Sequence, residues 1–207
     1  MSARGVFITL EGGDGGGKST QAPVVRAWLE QRGRTVLMTR EPGGSPLAEA
    51  IRGVVLQDWA EGVEPMTEAL LIFAARAAHV AATIRPGLEA GTDVICDRFV
   101  DASYAYQGAG RGVPTEWLAT LEQRVLNGLK PDLVLVLDVD PAIGLARAKA
   151  RGDANRFDTE SLAFSNRVRQ AYLQRAATDP ARYAVIDAAQ PNAAVSAAII
   201  EILEQRL

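Results

Sequence analysis

The sequence contains few of the features that mark exported, membrane-bound or nucleic-acid-binding proteins. It has one cysteine, Cys96, so an intrachain disulfide is impossible and a reducing compartment fits. No run of about 18 apolar residues occurs, and the N-terminal residues lead directly into a strand pattern, so neither membrane insertion nor export is indicated. With 22 basic and 25 acidic residues, the formal charge of −3 provides no overall basic field for nucleic acid. We therefore expect a cytoplasmic protein without membrane or nucleic-acid partners.

Internal repeats, low-complexity segments and linkers are missing as well. At 207 residues, with 48% hydrophobic and 23% charged residues, the chain has the composition of an ordinary globular protein. This length suits one compact domain, residues 1–207, that buries most of a central sheet.

Apolar runs of strand length alternate with helix-length segments along the chain. Five runs are predicted to be strands: 6–10, 35–39, 93–96, 133–138 and 183–186. The predicted helices are 19–31, 65–85, 115–126, 141–151, 159–178 and 192–205. The strand patterns are continuously apolar, as in parallel strands buried on both faces. This order predicts an α/β three-layer sandwich with a mainly parallel sheet flanked by helices. Two stretches rich in glycine and arginine, 107–112 and 147–156, are candidate mobile loops.

A phosphate-binding pattern, G-x-x-x-x-G-K-[ST], lies between the first predicted strand and the first predicted helix. The predicted ATP site consists of Gly12, Gly13, Asp14, Gly15, Gly16, Gly17, Lys18, Ser19 and Thr20. Backbone N–H groups of such a loop surround a phosphate, and the positive end of the following helix adds attraction. Lys18 is then placed to reach the β- and γ-phosphates, and the Ser19 hydroxyl to coordinate Mg²⁺. The alternative is a turn between strand and helix that binds no ligand.

Charged residues follow the second and third predicted strands. Arg40 begins an Arg-Glu-Pro-Gly-Gly segment, and Asp97 and Arg98 close the third strand. In a doubly wound sheet the carboxyl ends of the strands form the ligand crevice. We therefore expect Arg40 to hold a second phosphate, Asp97 to bind Mg²⁺, and Arg98 to bridge donor and acceptor phosphates. The alternatives are a solvated arginine on a surface turn and a plain ion pair between Asp97 and Arg98.

A predicted helical stretch over 70–79 is apolar except at Arg76 and His79. Phe73 and Arg76 lie three positions apart and so share a helix face, where a ring can stack on a base and a guanidinium can bind its edge. Alternatively, Phe73 belongs to the core and Arg76 pairs with a carboxylate. His79 is interpreted only as a helix-surface or interface residue.

Taken in order, these segments resemble the thymidylate kinase family. The matching segments are Glu11-Gly12-Gly13-Asp14, Arg40-Glu41-Pro42-Gly43-Gly44, Phe73-Ala74-Ala75-Arg76, Asp97-Arg98-Phe99 and Ala105-Tyr106-Gln107-Gly108. Apart from the phosphate loop each is weak alone, but the ordered set is specific and covers nearly the whole chain. The resemblance implies a P-loop fold with five parallel strands and phosphorylation of dTMP to dTDP by ATP for dTTP synthesis. It also implies a homodimer whose interface is formed by helices.

The resemblance further implies a dTMP site that consists of Asp14, Arg40, Phe73, Arg76, Arg98, Ser103, Tyr106 and Gln107. In that site Phe73 would stack on thymine and Arg76 would bond its O4 edge, with Gln107 lining the base pocket. Tyr106 would pack against the sugar and disfavour a 2′-hydroxyl.

The remaining implied contacts of that site concern the sugar hydroxyl and the phosphate. Asp14 would lie near the deoxyribose 3′-hydroxyl, which would explain a carboxylate whose charge otherwise repels the triphosphate. Arg40 and Arg98 would hold the dTMP phosphate.

The chemistry requires positive charge more than it requires a base. The attacking oxygen belongs to a phosphate monoester whose second pKa is ~6, so it is already ionised at neutral pH. Charge around the transferring group is therefore the remedy for bringing two anions together. One family subtype places a catalytic arginine in the phosphate loop, but that position here is Gly15, so the chain resembles the bacterial-type form with lid arginines. The predicted catalytic residues are Lys18, Arg98, Arg147, Arg151 and Arg156, the last three in a lid of about 147–157. A solvated basic helix end is the alternative.

Three other functions compete with this hypothesis. ATP-driven partitioning switches carry an extra lysine in the phosphate loop, where this chain has Gly13. Kinases of AMP, deoxynucleosides or shikimate share the loop, but Arg40 favours an acceptor that already carries phosphate. A nucleotide-dependent switch or assembly ATPase would release ADP without dTMP.

Overall fold

The computed structural model describes residues 4–151 and 160–207. Within these residues the sheet contains five strands: β1 (Phe7–Glu11), β2 (Val36–Arg40), β3 (Asp93–Asp97), β4 (Leu133–Asp138) and β5 (Tyr183–Asp187). Every pairing is parallel and the order is β2-β3-β1-β4-β5. The predicted strands are confirmed to within one residue at each end.

The helices cover both faces of the sheet. They are α1 (Lys18–Glu30), α2 (Pro46–Leu56), α3 (Pro65–His79), α4 (Arg85–Glu89), α5 (Val100–Ser103), α6 (Thr115–Leu126), α7 (Pro141–Arg151), α8 (Leu162–Thr178) and α9 (Asn192–Arg206). On one face, side chains of α1 and α9 pack with Ile8, Leu10 and Leu135. On the other, α3, α6 and α8 cover Phe7, Val94 and their neighbours. The three-layer sandwich is thus confirmed.

Helix α2 was missing from the sequence prediction. It begins with a proline at its first turn, and the Ser45 hydroxyl caps it by accepting a hydrogen bond from Ala48 N over 3.4 Å. Ser45-Pro46 followed by apolar Leu47 and Ile51 was a readable start signal. No element was predicted over residues 46–56, and α2 carries Arg52 toward the site described below.

The helical run Pro65–Glu89 is central to the second core. It comprises α3, a π-helical turn over Val80–Ile84, and α4. By length and composition this run could cross a membrane, but half of its apolar window is buried inside the protein. It also carries the buried polar residues Glu68, Arg76 and His79. We therefore describe it as a core helix.

The prediction of a loop at 107–112 was wrong for most of its length. A π-helical segment, Tyr104–Gly110, continues directly from α5 and buries Gln107 at 3% exposure. Gln107 Nε2 donates to Glu68 Oε1 over 2.9 Å, which ties the segment to α3. Close packing makes the glycines necessary, since a Cβ at Gly110 would lie 2.5 Å from the ring of Phe164. The predicted start of α8, residue 159, lies outside the described residues.

Candidate active site

Each of the five described strands ends in a charged residue at its carboxyl end: Glu11, Arg40, Asp97, Asp138 and Asp187. Because parallel strands present their carboxyl ends at one edge, these charges meet there rather than in the core. The register places Leu10 of β1 beside Asp97 of β3 and Glu11 beside Val136 of β4. The central strand β1 therefore delivers the phosphate loop to the middle of this edge.

The phosphate loop, residues 12–17, connects β1 to α1 as predicted. Gly12, Gly15 and Gly17 have φ of 125°, 71° and 86°, in the region that favours glycine. A Cβ at Gly15 would lie 2.0 Å from the carbonyl oxygen of Gly144 in α7. The loop thus packs directly on α7, while the side chains of Ser19 and Thr20 are exposed at the first turn of α1.

Lys18 is buried at the base of the loop. Its Nζ donates to the carbonyl oxygens of Gly12, over 3.0 Å, and Gly13, over 2.8 Å. Burial lowers its pKa to about 8, and the positive charge of Arg98 adds to that effect. Because burial disfavours the charged form of Lys18, a bound anion would stabilise its ammonium group. The position of Lys18 therefore suits phosphate binding.

Arg98 occupies a left-handed backbone conformation, with φ of 68°, that is uncommon for a residue other than glycine. Its guanidinium donates to Gly12 O over 2.9 Å, to the Tyr172 hydroxyl over 3.2 Å and to Asp14 Oδ1 over 2.6 Å. The hydroxyl of Tyr106 donates to the other Asp14 oxygen over 2.8 Å. The negative charge of Asp14 inside a phosphate loop is therefore offset by the guanidinium of Arg98, which is 17% exposed. The partner of Arg98 is Asp14 rather than its neighbour Asp97.

Glu11 supports this turn, and its role was missed in the sequence. The side chain is fully buried and Oε1 accepts a hydrogen bond from Phe99 N over 2.7 Å. Burial raises its pKa to about 8, with a further contribution from Asp101. Its one sequence signal is a carboxylate that ends an apolar strand directly before Gly12.

An open cavity lies beside the phosphate loop. Six of the predicted dTMP-site residues line it: Asp14, Arg76, Arg98, Ser103, Tyr106 and Gln107. The other two, Arg40 and Phe73, are not among its lining residues. Arg40 is half-exposed and pairs with Glu49 over 2.9 Å. Phe73 is core, 1% exposed, with the Arg76 guanidinium 4.7 Å from its ring centre.

Arg76 is the anchor of this cavity. Its guanidinium donates to Glu41 Oε2 over 2.6 Å, to Ser103 Oγ over 2.9 Å and to Phe99 O over 3.0 Å. The sequence analysis gave as an alternative that Arg76 pairs with a carboxylate, and in the structure it does pair with Glu41. The interpretation of His79 as a surface or interface residue was wrong, because its side chain is fully buried and bonded to Glu41.

A cluster of arginines stands at the phosphate side of the cavity. Arg52 lines the cavity and donates to Pro42 O over 2.7 Å. Its pKa is lowered by burial and then by the charge of Arg40, with a smaller contribution from Arg98. The positive charges of these guanidinium groups repel one another, and an anion bound between them would relieve that repulsion. Arg52 was missed because α2 was missed.

The predicted lid arginines are only partly described. Arg147 NH1 donates to Ala188 O over 2.8 Å, so α7 is fastened to the segment after β5. Helix α7 ends at Arg151, whose side chain lies outside the description, as does the whole of Arg156.

The predicted metal site consists of the Ser19 hydroxyl and the Asp97 carboxylate. Both are hard oxygen donors at the sheet edge, and Asp97 acts on the pKa of neighbouring Lys18. Across the described ranges 4–151 and 160–207, no group of three His, Cys, Asp or Glu side chains could hold a metal. Mg²⁺ characteristically takes one or two protein oxygens and completes its shell with phosphate and water, so these residues fit it.

Comparison with known proteins identifies the family. A model of the thymidylate kinase family matches residues 10–199. A thymidylate kinase of Pseudomonas entomophila is 55% identical over 96% of this chain and 95% of its own length. One from Pseudomonas syringae pv. tomato is 53% identical over 98% and 97%. The crystal structure of thymidylate kinase from Ehrlichia chaffeensis superposes with a TM-score of 0.79 at 32% identity, over 97% of this chain and 99% of that one. With the phosphate loop and the adjoining cavity, these matches show that the chain belongs to the thymidylate kinase family.

Proposed function

We propose that the chain binds dTMP in the cavity beside Arg76 and transfers to it the γ-phosphoryl group of ATP held at residues 12–20. ATP-dependent phosphorylation of dTMP to dTDP, on the way to dTTP, is the activity of the family to which the chain belongs. The observation that carries this assignment is that Asp14 and Arg98 belong both to the phosphate-loop region and to the cavity lining. Donor and acceptor sites therefore share a wall.

The base end of dTMP fits Arg76. Its three described bonds use three of the five N–H groups of a guanidinium, which leaves two for an acceptor in the cavity. A planar base with a carbonyl edge suits such a donor pair, with Gln107 beside it. Ile72 lines the cavity, whereas Phe73 does not line it and has its ring centre 4.7 Å from the Arg76 guanidinium.

The phosphate end fits the arginine cluster. Arg98 lies between the phosphate loop and the cavity, with Arg52 at the cavity wall and Arg40 nearby. One guanidinium group can donate two parallel hydrogen bonds to two oxygens of the same phosphate, and it stays protonated at any physiological pH. We place the dTMP phosphate there, with Asp14 and Tyr106 facing its sugar.

The transfer itself is assisted by charge. Lys18 and Arg98 would face the phosphates. Ser19 and Asp97 would hold Mg²⁺, which would supply positive charge toward the transferring group. We propose that one lid arginine among Arg147, Arg151 and Arg156 completes this charge on closure. Single alanine variants test the lid: loss of kcat with KM retained at one position supports it. Turnover above about half of wild type in all three would show that Lys18, Arg98 and Mg²⁺ suffice.

A substrate panel tests the acceptor. We expect ADP release to depend on dTMP, with dUMP used more weakly because it lacks the thymine methyl. Faster turnover of AMP, dCMP or thymidine, or ADP release without any acceptor, would overturn the assignment. Arg76→Ala should raise KM for dTMP by about 10- to 100-fold, as expected for bonds from a charged donor, with KM for ATP little changed. Equal effects on both constants would place Arg76 elsewhere.

We also propose a cytoplasmic homodimer. Four large apolar side chains are exposed on three helices: Leu47 and Val54 on α2, Leu70 on α3 and Trp117 on α6. Helix α3 packs against both α2 and α6, so these side chains lie on adjoining helices. Sedimentation velocity of the wild type and of a Leu70→Asp variant tests the proposal. A monomeric wild type, or a variant that remains dimeric, would contradict this interface.

A further inference from the structure

The chain contains one histidine, His79, and the proposed chemistry makes no use of it. The side chain is fully buried near the end of α3. Its Nε2 lies 2.7 Å from Thr39 Oγ1 at the end of β2, and its Nδ1 lies 3.0 Å from Glu41 Oε1. The imidazole therefore joins the core helix to the turn that follows β2.

The partners of the imidazole define its hydrogen bonds. A carboxylate oxygen only accepts, so Nδ1–H donates a hydrogen bond to Glu41 Oε1. On the other side of the ring, Nε2 pairs with the hydroxyl of Thr39. The Glu41 carboxylate thus lies between the imidazole of His79 and the guanidinium of Arg76.

The two oxygens of Glu41 are divided between His79 and Arg76. Oε1 accepts from His79 and Oε2 accepts from Arg76 Nε over 2.6 Å, and all three side chains are at most 4% exposed. Ser103 Oγ and Phe99 O also hold the guanidinium of Arg76, and Glu41 contributes a third contact that His79 orients. Loss of the imidazole donor leaves one buried carboxylate oxygen without that partner and releases the torsion of Glu41.

The turn is shaped around the ring. A Cβ at Gly44 would lie 2.2 Å from His79 Nε2 and 2.4 Å from Thr39 Oγ1. One helical turn further on, the Thr83 hydroxyl donates to Gly44 O over 2.8 Å. Helix and turn are therefore docked at the imidazole, which has little room to adopt another orientation.

We infer that His79 is a positioning residue for nucleobase recognition, which acts through Glu41 to hold the Arg76 guanidinium at the angle the base requires. This inference rests on the proposed dTMP site. The contacts that run from Thr39 through His79 and Glu41 to Arg76 would then affect the affinity for substrate and not the chemical step.

Two amide substitutions form a matched pair for the test. The side-chain nitrogen of asparagine is as many bonds from Cβ as Nδ1 of histidine, and that of glutamine as many as Nε2. His79→Asn therefore keeps the donor to Glu41, and His79→Gln keeps only the group near Thr39. We expect KM for dTMP to stay within about 3-fold of wild type in the asparagine variant and to rise about 10-fold in the glutamine variant. In both, kcat and KM for ATP should change less than about 2-fold, the pattern of lost uniform binding.

A double-mutant cycle separates this role from general core packing. His79→Leu should raise KM for dTMP in the wild-type background but have no further effect in the Arg76→Ala background, because Arg76 is the group through which His79 acts. Equal multiplicative effects in both backgrounds, or equal KM values in the asparagine and glutamine variants, would overturn the inference. If His79→Leu fails to fold, as judged by circular dichroism, the amide pair decides.

The cycle also distinguishes failure of this inference from failure of the proposed site. An Arg76→Ala variant with unchanged KM for dTMP would remove the site and the inference together. A normal Arg76→Ala effect without coupling to His79 would remove the inference alone. The single histidine allows a direct check by long-range ¹⁵N–¹H NMR, in which we expect Nδ1 to carry a hydrogen. A ring that carries hydrogen on Nε2 alone would overturn the bond to Glu41.

Discussion

Removal of the Glu11 side chain should destabilise the turn that carries Arg98, because it removes a hydrogen bond to the backbone of that turn. Phe99 N, the next backbone donor after Arg98, is held by Glu11 Oε1 over 2.7 Å in a fully buried setting. Glu11→Ala leaves that N–H unpaired, at about 1–3 kcal/mol. It also removes a bond that keeps Arg98 at its φ of 68°, a conformation that costs of order 1–3 kcal/mol when nothing holds it.

We therefore expect Glu11→Ala to lower the free energy of unfolding by about 2–3 kcal/mol. The same variant should lower kcat/KM because Arg98 bonds both Asp14 and the loop. Glu11→Gln is the matched control, since its carbonyl oxygen can accept from Phe99 N and its amide resembles a protonated carboxyl. We expect it to be close to wild type near pH 5 and at least as stable as wild type near neutral pH. Urea unfolding with linear extrapolation measures both variants.

The pH dependence provides a second check on the same residue. The pKa of Glu11 is raised from 4.5 to about 8, so between these values the folded chain binds more protons than the unfolded chain. The contribution of Glu11 to stability is therefore present below pH 4.5 and is lost as the pH rises toward 8. Glu11→Gln has no such proton, so its stability relative to wild type should increase from pH 5 to pH 8. A constant difference, or a glutamine variant as unstable as the alanine variant, would refute the reasoning.

Two further expectations concern the phosphate loop. Lys18, whose pKa burial lowers to about 8, should lose its proton above that pH in the unliganded protein, so KM for ATP should rise while kcat holds. A KM for ATP that stays constant up to about pH 9.5 would contradict this. Glu11→Gln serves as the control and should show the same rise in KM for ATP, because the rise is assigned to Lys18. Gly144→Ala should lower stability by about 1–3 kcal/mol and reduce kcat, because its Cβ would lie 2.4 Å from Asp14 O. Gly53→Ala, with no atom within 4 Å of the added carbon, should instead stabilise α2 by about 0.5–1 kcal/mol in thermal unfolding. Equal effects in the two variants would disprove the steric argument.

The amino-acid sequence carried the fold class and the location of the site. Strand patterns and the phosphate-loop motif are local signals, since each is encoded within about ten consecutive residues. They placed β1, the loop and α1 correctly and put Arg40 and Asp97 at the carboxyl edge of a parallel sheet. The ordered family motifs then led to the thymidylate kinase family, which the comparisons confirm.

Local signals failed where the backbone depends on its surroundings. Gln107 was assigned to a loop because glycines follow it, yet close packing on Phe164 and the bond to Glu68 hold the segment in a π-helix. No helix was predicted over residues 46–56, so α2 and its Arg52 were missed, although Ser45 and Pro46 signalled the start of the helix.

Only the tertiary structure decided which charges are partners. Arg76 and Glu41 are 35 residues apart, Arg98 and Asp14 are 84 apart, and Phe99 and Glu11 are 88 apart. No spacing in the sequence links such residues. The order β2-β3-β1-β4-β5 brings the ends of β1 and β3 side by side, and the packing of α3 brings Arg76 to the turn after β2. There, burial makes an unpaired polar or charged group costly.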